Sequence, residues 1–376
     1  MEFSFGLEHE VALVDQAGSF LDFSRLKYAD LDRIIEKLPL YPGDYDQLRV
    51  GDAGIKKKRW YIECFERCNC DEQVVDCIPK GLEIRTTIQP TIQAAVAELA
   101  ESYALLVKAA HCFGYRPVCV GFNPYRVEFE PDPPLTDYER TMQEQSPSPE
   151  TLTQFIPMVT YGPDLNLSAK ALPIAQAIDI AQKLTYYSPC LVPFSLNAPF
   201  YGGQLWTGLS ARTFVRTGAR PAALVFVAEP DQLIKSTPSL TKLARMPAEV
   251  GRIEFKAFDV CPDFTLYAGL LALLKGLALD GFLRGRALTP NPTLHQLSAR
   301  LGFGHERLFL MALAVIEAAD LALTGDPDQA LLEPLKRLLL ERQSPAHRLI
   351  ESYHRLGSID LALLEQASVN VEPAYI

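Results

Sequence analysis

At 376 residues and 48% apolar composition, the chain is long enough for one large or two ordinary cores. Its 36 Lys and Arg against 46 Asp and Glu leave a formal charge of −10, which argues against a partner held by many phosphate contacts, so no nucleic acid is expected. The most apolar stretch, Leu266 to Leu283, is broken by Lys275 and Asp280; it reads as a buried helix rather than an uncharged membrane span of ~20 residues, and no membrane partner is expected.

The chain opens without a cationic segment, an apolar run and a small-residue cleavage site, so a cytoplasmic location is expected. Phe3 to Val14 alternates as a strand, with Phe3, Phe5, Leu7 and Val11 on one face and Gly6, Glu8 and Glu10 on the other. His9, between the two glutamates, points to the opposite face, where core packing is a commoner role for an imidazole than catalysis. After a mixed segment, Arg59 to Arg67 and Gly81 to Ile88 read as strands of a hairpin separated by a cysteine-bearing loop. Eight cysteines without an export signal are expected as reduced thiols. Cys64, Cys68, Cys70 and Cys77 lie close together but lack the paired C-x-x-C spacing of structural zinc sites, so they read as loop thiols, with a metal left open.

Between Pro90 and His111, Ile92, Val96, Leu99, Tyr103, Leu106, Val107 and Ala110 recur at helical spacing, with Gly114 beyond the end. Arg116 to Phe122 looks like another strand, and Pro124 to Pro149, rich in proline and acid, like a surface loop or lid near the site. Strand-like alternation returns at Met158 to Ser168, followed by an amphipathic helix over Leu172 to Tyr187 that Pro189 is expected to stop. A Gly-rich loop, Tyr201 to Gly208, carries Trp206, which either stacks on a ligand or anchors packing. Gly251 to Asp259 alternates again, setting Arg252, Glu254 and Lys256 opposite Ile253, Phe255 and Ala257. Beyond Phe264 nearly everything reads as helix. The pattern predicts an α+β protein with a catalytic sheet domain over 1–263 and a helical region over 264–376 packed on it.

Glu8, Glu10, Glu83 and Glu254 each sit on a strand face whose opposite face is apolar. Such alternation is commonly a solvated sheet surface. If the strands share one sheet, however, the polar faces form an acidic concavity suited to Mg2+, which takes carboxylates, phosphates and water as ligands. Phosphoryl transfer from ATP follows physically, since the ion offsets charge that carboxylates alone would repel. Arg85, Lys256, Arg212 and Arg216 supply donors for phosphate or a substrate carboxylate near the same cleft.

Gly6-Leu7-Glu8-His9-Glu10, followed by Val11-Ala12-Leu13-Val14, resembles the G-x-E-x-E strand that begins glutamate cysteine ligase family 2, the carboxylate-amine ligases. Gly81-Leu82-Glu83-Ile84-Arg85-Thr86 is similar to its second acidic strand, Ser210-Ala211-Arg212 to its S-x-R segment, and Arg252 to Asp259 to its late E-x-R-x-x-D strand. The resemblance implies a glutamine synthetase-like fold, a curved and mainly antiparallel sheet around ATP, metal and amino acid, with flanking helices. By position it implies Glu8, Glu10, Glu83 and Glu254 as Mg2+ ligands and Arg212 on phosphate or the substrate carboxylate. Arg85, Lys256, Arg216, Asn166 and Trp206 would line the nucleotide site. The implied reaction is phosphorylation of the glutamate γ-carboxylate by ATP and capture of the acyl phosphate by the amine of cysteine, a step of glutathione biosynthesis. Another amine is the alternative acceptor.

Two departures stand out. Asp164-Leu165-Asn166-Leu167 occupies the place of the H-V-H-V strand of many members, so Asp164 and Asn166 would replace imidazoles as oxygen ligands or hydrogen-bond partners. Lys256 stands for the usual Arg, losing the bidentate fork but keeping the charge. They leave the amine acceptor open and make a catalytically silent nucleotide or amino-acid binding protein the competing reading. A homo-oligomer also stays open.

Overall fold

A strand turns successive side chains to opposite faces, and the first strand of the computed structural model shows it: β1 (Phe3–Val14) buries Phe3, Phe5, Leu7 and Val11 fully while Ser4, Gly6, Glu8 and Glu10 stay partly open. The structure describes residues 1–46, 48, 59–145, 148–150, 152–216, 218, 220–234 and 239–369. Along the chain, β2 (Phe20–Leu21), α1 (Tyr28–Glu36), β3 (Trp60–Cys68), β4 (Val74–Arg85), α2 (Ile92–His111) and β5 (Arg116–Val118) come first. Next are α3 (Asp137–Gln145), α4 (Ile156–Val159), β6 (Pro163–Ala169), α5 (Ile174–Leu191), β7 (Phe200–Tyr201), β8 (Gln204–Leu205) and α6 (Ala211–Val215). β9 (Ala223–Val227), β10 (Thr241–Leu243) and β11 (Ile253–Phe255) complete the sheet. The remainder is α7 (Phe264–Leu279), α8 (Pro292–Leu301), α9 (Glu306–Ala322), α10 (Glu333–Leu340), α11 (Pro345–Leu356) and α12 (Ile359–Val369).

The main sheet runs β10-β9-β11-β6-β1-β4-β3, with β2 and β5 pairing the far end of β1. Only the β9–β10 pair is parallel among the described residues. This is the expected curved, mainly antiparallel sheet, curled into a half-barrel. Helices α2, α5 and α7 cover its apolar face. Leu266 to Leu277 of α7 are buried on every side, as an uninterrupted apolar helix requires. One apolar cluster joins Phe3, Phe5 and Leu7 of the sheet to Leu271, Val315, Leu335 and Leu363 of the C-terminal helices. No described helix is long and apolar enough to cross a membrane.

Several expected boundaries move, each for a local reason. The cysteine-bearing segment is not a loop: Cys64 and Cys68 lie on β3 and Cys77 on β4, which extends back to Val74, leaving Cys70 at the turn. All eight cysteines are free thiols. Pro189 does not stop α5, which continues to Leu191. Proline offers no N–H to the Thr185 carbonyl, and the Ser188 hydroxyl donates to it instead at 2.8 Å. Ile156 to Val159 forms a helical turn rather than strand, so β6 begins only at Pro163. The Gly-rich loop is a tight hairpin in which Gly202 and Gly203 both take positive φ, at 61° and 79°. The Pro-rich, acidic stretch contains α3 and is fastened to the β3–β4 hairpin by Arg67, which donates to Glu139 and to the Pro133 and Pro134 carbonyls. Residues 146 and 147 of that stretch lie outside the described residues.

Candidate active site

Strand register gathers the acids. Glu8 of β1 lies opposite Asp164 of β6 on one side and Arg85 of β4 on the other; Glu10 lies opposite Glu83, and Glu254 of β11 opposite Asn166. Tyr61 of β3 faces Glu83 and donates its hydroxyl to Glu83 Oε2 at 2.6 Å. The four acids singled out in the sequence thus share one face of one sheet. They fall into two groups, Glu8 with Asp164 and Glu254, and Glu10 with Glu63 and Glu83, the ligand atoms of each lying within 4.8 Å of one another. Glu63 is the member that sequence reasoning passed over. It lies two residues after Tyr61 in a segment read as strand, so the alternation carried a signal for it.

Two lysines and two arginines stand among the six carboxylates. Lys80 Nζ donates to Glu10 Oε1 at 2.8 Å and to the carbonyls of Pro157 at 2.6 Å and Thr160 at 2.8 Å. Lys256 Nζ donates to Glu254 Oε1 at 2.7 Å and to Asp164. Arg252 reaches Glu254 at 3.1 Å and Glu8 at 3.8 Å with its guanidinium 4.1 Å from the Phe226 ring centre. Arg85 lies 3.9 Å from Glu83 and 4.2 Å from the Tyr61 ring centre. Burial, then the neighbouring Glu63 and Glu8, pushes the Glu83 carboxyl well above its ordinary range. Burial works against the Lys256 ammonium too, but Asp164 and Glu254 outweigh it and hold it charged.

Glu83 Oε1 and Asn166 Oδ1 are buried without a hydrogen-bond partner, although Glu83 is only 5% and Asn166 only 6% exposed. Buried polar atoms rarely stay unpaired. Together with the all-oxygen donor set, these two fit Mg2+.

The other residues singled out lie as follows. Asn166 Nδ2 is 3.5 Å from Glu8 Oε1. Ser210 caps α6 by accepting from Thr213 N and so aims Arg212 under β11. There the Arg212 guanidinium donates to the carbonyls of Lys256, Ala257 and Phe258. Its Nη2 sits where a Cβ on Gly162 would be, 2.2 Å away, so Arg212 braces the backbone beside Glu10. Arg216, Arg220, Lys256 and His295 line a small cationic hollow next to it. Burial, with Arg212 and Arg220 close by, lowers Arg216 to about 9. Trp206 lies outside the cleft lining and packs on Phe214, ring centres 5.1 Å apart, beneath Arg300. His9 faces the core, bonded to the Tyr267 hydroxyl at 2.9 Å.

Residues 4–231 match the model of glutamate-cysteine ligase family 2, a stretch that stops short of β11. No curated protein sequence matches. Among solved structures, glutamate-cysteine ligase from Francisella tularensis in complex with AMP superposes with a TM-score of 0.56 at 11% identity, over 100% of this chain and 90% of that one. A bifunctional glutathione synthetase from Pasteurella multocida gives the same TM-score and identity over 98% of this chain; the chain spans about half, 51%, of that protein's length. At this identity the likeness concerns the fold, which is glutamine synthetase-like.

Proposed function

The chain belongs to glutamate-cysteine ligase family 2, and from that premise we propose that it is an ATP-dependent carboxylate-amine ligase forming a γ-glutamyl amide, with cysteine as the first acceptor to test. The observation that carries this reading is the convergence of six carboxylates into two triads on one sheet face. Glu8, Asp164 and Glu254 would hold one divalent ion and Glu10, Glu63 and Glu83 another. A bound Mg2+ would offset the charge of the ATP phosphates and of the transferring phosphoryl group. The protein's own part is positioning. Arg85 and Arg252, each held against an aromatic ring, would offer N–H donors to an anion at the cleft. Arg216 places positive charge beside Lys256, next to the Arg220–Glu150 pair, where a phosphoryl group leaving ATP for the glutamate γ-carboxylate would be stabilised. An amine attacking the resulting acyl phosphate would displace phosphate.

The test is release of ADP from ATP with glutamate and a panel of amines. Acceptor-dependent release is expected, falling by at least about a hundredfold in Glu8→Gln and Glu254→Gln. No ADP across amino acids and polyamines would remove the proposal. One observation favours a second reading, a binding protein without turnover: Lys256 is tied to Asp164 and Glu254, where an ion would sit. Tight ATP and Mg2+ binding without ADP release would select it.

A further inference from the structure

Each triad carries a lysine, but the two lysines are held differently. Lys80 has 2% of its side chain accessible. Its ammonium has three N–H bonds, matched by three acceptors, Glu10 Oε1 and the carbonyls of Pro157 and Thr160. The two carbonyls, of Pro157 in the α4 turn and of Thr160 just after it, fix Lys80 in place. Lys256 is 32% accessible, and its hydrogen bonds go to Asp164 and Glu254, two of the three groups of its triad. Lys256 lines the cleft and also the hollow formed with Arg212, Arg216 and Arg220.

We infer that Lys256 is an internal counter-cation that a divalent ion must displace from Asp164 and Glu254, whereas in the other triad Lys80, anchored by two backbone carbonyls, stays on Glu10 Oε1 and leaves Glu63 and Glu83 to the ion. This rests on the reading of the cleft as a metal and nucleotide site. An ammonium and a metal ion cannot share the same carboxylate oxygens, and like charges ~4 Å apart repel by several kcal/mol in a partly buried site. The ion therefore competes with Lys256 for Asp164 and Glu254. In the other triad Lys80 gives one proton to Glu10 and two to backbone carbonyls and lies 3.8 Å from Glu63, so Glu63 and Glu83 accept no ammonium hydrogen bond from it. Glu83 Oε1 there is buried and accepts no hydrogen bond, with only the Arg85 guanidinium 3.9 Å away as countercharge.

The displaced ammonium has a destination. The hollow beside it is lined by Arg212, paired with Asp259, Arg220, paired with Glu150, and Arg216; Arg216 leaves it net positive, so a further positive charge is disfavoured there until an anion arrives. A phosphoryl group supplies that anion. Binding of the second ion and binding of the nucleotide are thereby coupled, each strengthening the other by the same factor.

Mn2+ binding to the full chain, read from the electron paramagnetic resonance signal of the free ion without nucleotide, tests this. The wild-type protein is expected to take one ion tightly and a second at least about tenfold more weakly. Lys256→Met should tighten the second ion by about tenfold or more and leave the first unchanged, while Lys256→Arg, which keeps the charge, should leave the second weak. Glu83→Gln should weaken the first ion selectively. A non-hydrolysable ATP analogue should tighten the second ion in the wild type, and by less in Lys256→Met. A second-ion affinity unmoved by Lys256→Met, or raised equally by Lys256→Arg, overturns the inference and leaves the ligase reading standing. No Mn2+ binding with or without the analogue overturns both.

Discussion

His9 and Glu8 are adjacent in sequence and opposite in environment, because the pleat sends one to the core and the other to the cleft. Burial lowers His9 to about 3, and burial with Arg216 nearby lowers His295, bonded to Ser188, to about 3 as well. Both imidazoles are neutral in the folded chain, whereas the unfolded chain takes up protons near pH 6.5. The folded state is therefore penalised as pH falls below about 6.5 and down to about 3, by on the order of 1 kcal/mol per imidazole for each pH unit. Urea unfolding at pH 7.5 and 5.5 should show lower stability at 5.5, with a smaller loss in His9→Gln; an equal loss in that variant would contradict the assignment. At this scale the cleft acids on β1, β4 and β11 were legible from alternation and family spacing alone. Glu63 was legible by the same alternation, two residues after Tyr61 and ahead of the β-bulge between Glu63 and Cys64, but no family motif drew attention to it.

At the level of elements, the β1–β4 pair brings Glu10 beside Glu83, and Gly81 allows the close approach. A Cβ at Gly81 would lie 2.3 Å from the Val11 carbonyl oxygen, a clash with backbone that no rotamer relieves. Gly81→Ala is expected to lower stability by about 2 kcal/mol in urea unfolding and to weaken metal binding with it; a neutral outcome would mean that β4 tolerates a shift of register. Long periodic elements such as β1 and α2 could be read directly. β9 and β10 could not: five and three residues long, they show no alternation and exist because pairing with β11 and with each other satisfies their backbone. The persistence of α5 past Pro189 was hidden for a similar reason, since the Ser188 hydroxyl takes up the Thr185 carbonyl and the helix packs on α7, α9 and β9 only in the folded chain.

Across the whole molecule, the sheet and the C-terminal helices share one apolar cluster, with α7 buried between them. Residues 1–263 expressed alone would keep α2 and α5 but lose α7 and the later helices, uncovering the parts of β6 and α2 on which α7 packs, and are expected to be insoluble or molten, judged by the loss of a cooperative thermal transition. A stable, cooperatively melting fragment would contradict that dependence. The same architecture gives the cleft its character, with helices filling one face of the half-barrel and six acids and four cations lining the other. What the chain does follows from whether that lining binds a metal–nucleotide pair. Isothermal calorimetry of ATP with and without Mg2+ measures this most directly. ATP binding is expected to require Mg2+ in the wild type and to be lost in Glu83→Gln and Glu254→Gln; binding indifferent to Mg2+ and to both substitutions would contradict the account.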